Sequence, residues 1–189
     1  MLLDWIARRQ MAAFEKKYGY DMGYARDLLR FSKPAFWKFA RLMPLGQHRE
    51  GVPKAAWHAA KIVGARSEDC GPCVQLVVDM AREDGVPDAV VRAVLRDDVA
   101  ALDADTALAC RYARAVVARD AQALVLRDEV VQRFGPPALA SLALALTASR
   151  MFPMVKAALG HGHACLRVKV GNEVVAPVPM QNAAHARPA

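Results

Sequence analysis

Apolar residues recur at intervals of three and four along most of this chain, the spacing that puts them on one face of a helix. Over residues 1–17, Leu2, Leu3, Ile6, Met11 and Phe14 are apolar with charges between them, which predicts a first helix. Gly19 and Gly23 bracket a turn. Two short helices are predicted over 24–31 and 34–43, divided by Ser32-Lys33-Pro34, where Ser32 suits an N-cap and Pro34 a first helical turn. Pro44, Gly46 and Gly51 then mark a loop that closes an N-terminal helical arm, residues 1–51.

Beyond the arm the same rhythm continues. Residues 52–65 have an alanine-rich body, and alanine leads the helix-propensity scale. Helices are also predicted over 70–83, 88–95, 103–119, 127–134 and 137–159. Ser67 or Asp69 is the candidate cap of the 70–83 helix, and Gly85 and Pro87 end it. Residues 52–165 thus form a helical core. The following "CLRVKVGNEVVAPVPM" alternates apolar and polar positions around Gly171-Asn172 and fits a small hairpin or an extended arm. With "QNAAHARPA", read as disordered, it makes residues 166–189 an extended or disordered tail. The expected fold class is all-α, and 189 residues suit one domain better than two.

Composition narrows the function. The hydrophobic fraction of 54% is largely Ala, Leu and Val mixed with Arg and Asp, which reads as amphipathic helix. The longest apolar run, 136–148, includes Ser141 and Thr147 and falls short of the roughly 20 residues a spanning helix needs, so no membrane partner is expected. Asp4 and Arg8-Arg9 interrupt the start, where a secretory signal needs roughly 7–15 apolar residues; the expected location is cytoplasmic. The net charge of +7 comes from arginines interleaved with acids and not from a basic run with aromatics, so no nucleic-acid partner is expected. Without export features, the four cysteines do not imply a disulfide framework.

Cys70-Gly71-Pro72-Cys73 is the chemical signal. At a helix start, residues i and i+3 share a face, and free backbone amides with the helix dipole stabilise a thiolate, the species that attacks peroxides and disulfides. The expectation is two sulfurs meeting at one exposed helical mouth. Thioredoxin shares the tetrapeptide, but its motif follows a buried strand and is usually preceded by Trp. Here Asp69 precedes Cys70 and the upstream segment "PKAAWHAAKIVGARSED" reads as helix, which argues against that fold.

The stretch "AAWHAAKIVGARSEDCGPCVQLVVDMAREDGVPDAVVRAVL", and more loosely the chain on to residue 165 with "FGPPALASLALALTASRMFPMVKAALG", resembles the AhpD-like alkylhydroperoxidases of the carboxymuconolactone decarboxylase superfamily. The first fifty residues lie outside the resemblance. It implies an AhpD-like helical bundle that assembles as a homo-oligomer, and a thiol peroxidase acting on small hydroperoxides. By that analogy Cys73 attacks the peroxide, becoming a sulfenic acid, and Cys70 resolves it to a disulfide with release of water. A thiol reductant protein reopens the disulfide, and no metal or organic cofactor is needed.

The family's peroxidases carry a Glu twelve residues before the first Cys and a His four residues after the second; here those positions are His58 and Val77. Val77 cannot carry a proton. His58, with an ordinary pKa near 6.5, can replace part of the relay, and Lys61 one turn on adds charge. Glu68 either accepts a proton at the site or sits as an ordinary acid in a first helical turn. The candidate catalytic set is therefore Cys73, Cys70, His58 and Glu68. His161, His163 and Cys165 in "GHGHAC" read as a helix terminus, since a metal would want a fourth ligand. Trp5, Trp37 and Trp57 read as core or interface fillers. Two other readings stay open: a dithiol–disulfide reductase or redox sensor without peroxidase activity, and a non-redox helical interaction protein docking through its arm.

Overall fold

The computed structural model describes residues 2–162 and 167–180. Alanine decides which helix takes the middle. In α4 (Lys54–Arg66) every residue from Ala56 to Arg66 is buried, because short side chains let neighbours approach on several sides at once. Around it pack α5 (Gly71–Glu83), α6 (Asp88–Arg96), α7 (Ala104–Ala118) and α9 (Pro136–Ala158), while α8 (Gln122–Phe134) lies against α7 and α9. The fold is mostly helical, as the periodicity predicts.

Gly64 is where two helices come nearest. A Cβ there would lie 2.1 Å from the Ser149 hydroxyl and 3.0 Å from the Leu146 carbonyl oxygen, so only glycine lets α9 sit on α4. α9 is longer than the 136–148 run and, among the described residues, is the one helix long and apolar enough by composition to cross a membrane. In this fold Ala138, Leu142, Ala145 and Leu146 on it are buried in the main core.

The arm consists of α1 (Leu2–Tyr18), α2 (Gly23–Phe31) and α3 (Lys33–Ala40), followed by a 3-10 turn over Met43–Gln47. Ser32 caps α3 by accepting the Ala35 N–H at 3.3 Å, with Pro34 in the first turn, as the sequence predicts. Met11, Tyr20, Tyr24, Leu29 and Phe36 form a second core cluster whose remaining buried members include Cys70 and Cys73. The arm therefore lies over the start of α5.

The tail is not a free arm up to Met180. Strands β1 (Val168–Val170) and β2 (Glu173–Val175) pair antiparallel across Gly171-Asn172, so the hairpin alternative holds. Gly171 supplies the positive φ of +63° that the turn's first position requires. Val168, Val170 and Val175 are buried in the main core, and the Gln75 side chain bridges both backbone groups of Lys169. Further on, the Arg66 guanidinium donates to the carbonyls of Val94 and Val178 at 2.6 Å each, and the Val178 N–H donates to the Leu95 carbonyl at 3.0 Å. Residues 181–189 lie outside the described residues, as do His163 and Cys165.

α8 begins five residues before its predicted start at 127. Asp120 holds its first turn by accepting the Gln122 N–H at 2.9 Å, and Leu124 and Val125 face outward, so the apolar spacing does not report this turn.

Candidate functional site

Cys70 occupies the N-cap of α5 and Cys73 lies in its first turn, where backbone amides are unpaired by the helix. Neither Ser67 nor Asp69 caps α5. Ser67 ends α4 with its hydroxyl donating to the Gly64 carbonyl at 2.8 Å, and Asp69 takes a left-handed φ of +48° that swings the chain into the cysteine turn. The two sulfurs lie at disulfide distance, with Cα atoms 5.2 Å apart. The i to i+3 spacing thus does bring the pair together.

The pair is not at an exposed mouth. Cys70 and Cys73 are only 5% and 4% exposed, because α1–α3 of the N-terminal arm packs over them. What the arm leaves is a cavity of about 260 Å³, lined by Cys73 and by Phe14, Tyr20, Tyr24, Lys61 and Phe152 among others. Cys73 alone of the pair lines it. Cys70 instead borders a small crevice of about 20 Å³ with Arg66, Val178 and Pro179 of the docked tail.

Tyr20 reaches the pair directly: its hydroxyl lies 3.5 Å from the Cys73 Sγ in a buried contact. Phe14 and Tyr24 meet the Tyr20 ring edge to face, with centroids 6.1 and 6.4 Å away, and the Lys156 ammonium sits 4.5 Å from its centroid. Burial pushes the Tyr20 hydroxyl well above the ordinary tyrosine range, while Tyr24 rises to about 12 for the same reason. Burial also lowers the Lys156 ammonium. Lys61 donates to the Gly46 carbonyl at 3.1 Å and sits over the Trp57 ring; burial brings its pKa down to about 8.

His58 is not beside the sulfurs. Its Nε2 lies 3.0 Å from Asp84 Oδ2, and Asp84 caps the opposite end of α5, about 16 Å along the axis from Cys73 at 1.5 Å per residue. Spacing along the sequence puts His58 on a helix that packs beside α5, but the antiparallel course of α4 and α5 carries it away from the dithiol. The ring is 2% exposed, and burial, opposed by the Asp84 hydrogen bond, lowers its pKa to about 4. It is neutral at pH 7, with Nε2–H donating to the carboxylate; Nδ1 is buried with no hydrogen-bond partner among the described residues.

Glu68 is not among the residues lining the cavity. Its Oε1 accepts the Arg150 Nε–H at 2.7 Å, which ties the α4–α5 junction to α9. Val77 does line the cavity and contributes only an apolar wall. His161 closes the end of α9 onto α2 through Asp27 Oδ2 at 2.9 Å. Among the described residues no cluster of His, Cys, Asp and Glu has the makings of a metal site. Cys110 is free and fully buried, its thiol pushed up to about 11 by burial.

Fold and site together define a mostly helical protein whose paired-cysteine centre opens, through Cys73, onto an aromatic cavity roofed by its own N-terminal arm. No protein-family model, curated protein or solved structure matches the chain.

Proposed function

We propose that this protein is an AhpD-like thiol peroxidase that reduces organic hydroperoxides through a Cys73/Cys70 dithiol–disulfide cycle. One observation carries the reading: of two neighbouring sulfurs at a helix N-terminus, only Cys73 lines a cavity large enough for a small ligand, and Cys70 stands behind it within bonding reach. That division matches attacking and resolving roles. The Cys73 thiolate attacks the outer oxygen of the hydroperoxide; the S–O bond forms, the O–O bond breaks, and the alcohol leaves. Cys70 then displaces the hydroxyl of the sulfenic acid as water, forming the disulfide. Two electrons pass from the dithiol to the peroxide, and an external dithiol reductant restores the pair. The aromatic walls favour a hydroperoxide with an apolar body.

The test is rapid-mixing consumption of tert-butyl hydroperoxide by the reduced protein. The expected result is a second-order reaction that consumes two thiols per peroxide, that Cys73→Ser abolishes and that stops at the sulfenic acid in Cys70→Ser. Oxidation of the parent no faster than that of free cysteine, or full reactivity in Cys73→Ser, refutes the proposal.

A second reading draws on the shared cluster of the arm and the dithiol. Because Cys70 and Cys73 pack directly with the arm's buried residues, reduction of the pair alters what α1–α3 rest on, which suits a redox sensor. Hydrogen exchange of α1–α3 that differs between oxidised and reduced protein, without peroxide turnover, selects this reading.

A further inference from the structure

Cleaving a hydroperoxide leaves a proton problem that the dithiol alone does not solve. The departing group is an alkoxide, the conjugate base of an acid about as weak as water, with a pKa of roughly 16. It leaves readily only if it is protonated as the O–O bond breaks. The two positions at which a relay is expected do not serve: Val77 has no proton to give, and His58 is held by Asp84 at the other end of α5.

We propose that Tyr20, from the N-terminal arm, is the general acid of this site, protonating the alkoxide as Cys73 attacks. The inference rests on the peroxidase reading. It is carried by position: the Tyr20 hydroxyl is 3.5 Å from the Cys73 sulfur and Tyr20 lines the same cavity, so it lies within reach of an oxygen bonding to that sulfur. The ring is fixed by its edge contacts with Phe14 and Tyr24. Burial raises the phenol above the ordinary tyrosine range, which keeps it fully protonated at neutral pH and so available as a donor to the departing alkoxide. The Lys156 ammonium over the ring favours the tyrosinate that results. Among the described residues, the charged and titratable groups that face Tyr20 or share its cavity are Lys156, Tyr24, Asp21, Tyr18, Lys61 and Cys73 itself.

The step balances. Cys73 thiolate, hydroperoxide and Tyr20 hydroxyl become Cys73 sulfenic acid, alcohol and Tyr20 phenolate. The phenolate then takes the Cys70 thiol proton, and as the resulting Cys70 thiolate attacks Cys73, Tyr20 returns that proton to the departing hydroxyl, which leaves as water while the disulfide closes. Tyr20 finally regains from solvent the proton that Cys73 released on ionising, so no further reactant is needed. The arm in this scheme completes the site as well as roofing it.

The experiment compares two oxidants whose leaving groups differ in their need for a proton. tert-Butyl hydroperoxide releases an alkoxide; an aromatic peracid, used below its own ionisation, releases a carboxylate that needs no acid. Tyr20→Phe is expected to slow the alkyl hydroperoxide about 100-fold and to leave the peracid rate nearly unchanged. A merely structural role, or a hydrogen bond that only tunes the Cys73 thiolate, slows both oxidants equally, and that result overturns the assignment, as does no effect on either. Should Tyr20→Phe fail to fold, the parent can still refute the assignment. With Tyr20 as acid, the alkyl hydroperoxide reaction shows a solvent deuterium isotope effect that the peracid reaction lacks, and equal isotope effects overturn it. Failure of the parent to consume either oxidant instead refutes the peroxidase reading itself.

Discussion

Replacing His58 with glutamine separates a structural imidazole from a catalytic one. In the folded protein His58 is 2% exposed and stays neutral until about pH 4, whereas in the unfolded chain it protonates near 6.5. Between those values the unfolded state holds a proton that the folded state refuses, so this residue's contribution to stability falls as the pH drops from about 6.5 towards 4 and changes no further below that. At about 1.4 kcal/mol per pH unit the full loss is about 3 kcal/mol, most of it realised by about pH 4.5. The glutamine amide of the His58→Gln variant keeps an N–H for Asp84 but does not titrate. Urea unfolding of both proteins at about pH 7 and about pH 4.5 should therefore show the parent losing about 2–3 kcal/mol more than His58→Gln on acidification. Peroxide consumption at neutral pH should be the same in both. Parallel losses, or an imidazole proton resonance that titrates at or above the ordinary histidine value in the folded protein, refute the reasoning, and a peroxidase collapse in His58→Gln returns the residue to the site.

Other expectations follow from single contacts. Gly64→Ala forces a methyl against Ser149 and the Leu146 carbonyl, costing about 3 kcal/mol and lowering the Tm by about 6–12 °C in a thermal melt. Arg66→Met strips donors from the Val94 and Val178 carbonyls; the buried Val94 carbonyl is left orphaned at about 1–3 kcal/mol and the tail loses its tether, so hydrogen exchange should accelerate at Val178 and through β1–β2 before the rest of the core. Cys110, buried and with its pKa raised to about 11, should stay unreactive towards peroxide and alkylating reagents until the protein unfolds, as peptide mass mapping can check.

The helices are legible in the sequence because each turns an apolar stripe to the core, and the start of α8 escapes where Leu124 and Val125 break that rule by facing solvent. Ser32-Lys33-Pro34 is readable because a cap acts over three residues. The cysteine pair is readable for the same reason: its geometry is local to one turn. Tyr20 is not, since its contact with Cys73 spans 53 residues and its own surroundings, between Gly19 and Gly23, announce only a turn. His58 and Glu68 show the converse. Their distance from the cysteines along the chain is plain, but which end of α5 or which partner each side chain meets depends on the antiparallel packing of α4 and on Arg150, 82 residues from Glu68. The tail's alternation is visible, whereas its docking depends on Gln75 and Arg66, which show no local sign of it.

The most direct measurement is to identify the atom that receives the peroxide oxygen. Reduced Cys70→Ser protein, treated with a stoichiometric organic hydroperoxide in the presence of a sulfenic-acid-trapping diketone, should yield a single adduct, on the peptide carrying Cys73. Consumption of the peroxide without that adduct, or an unlabelled Cys73 in protein that leaves the peroxide intact, contradicts the claim that the sulfur lining the aromatic cavity is the working nucleophile.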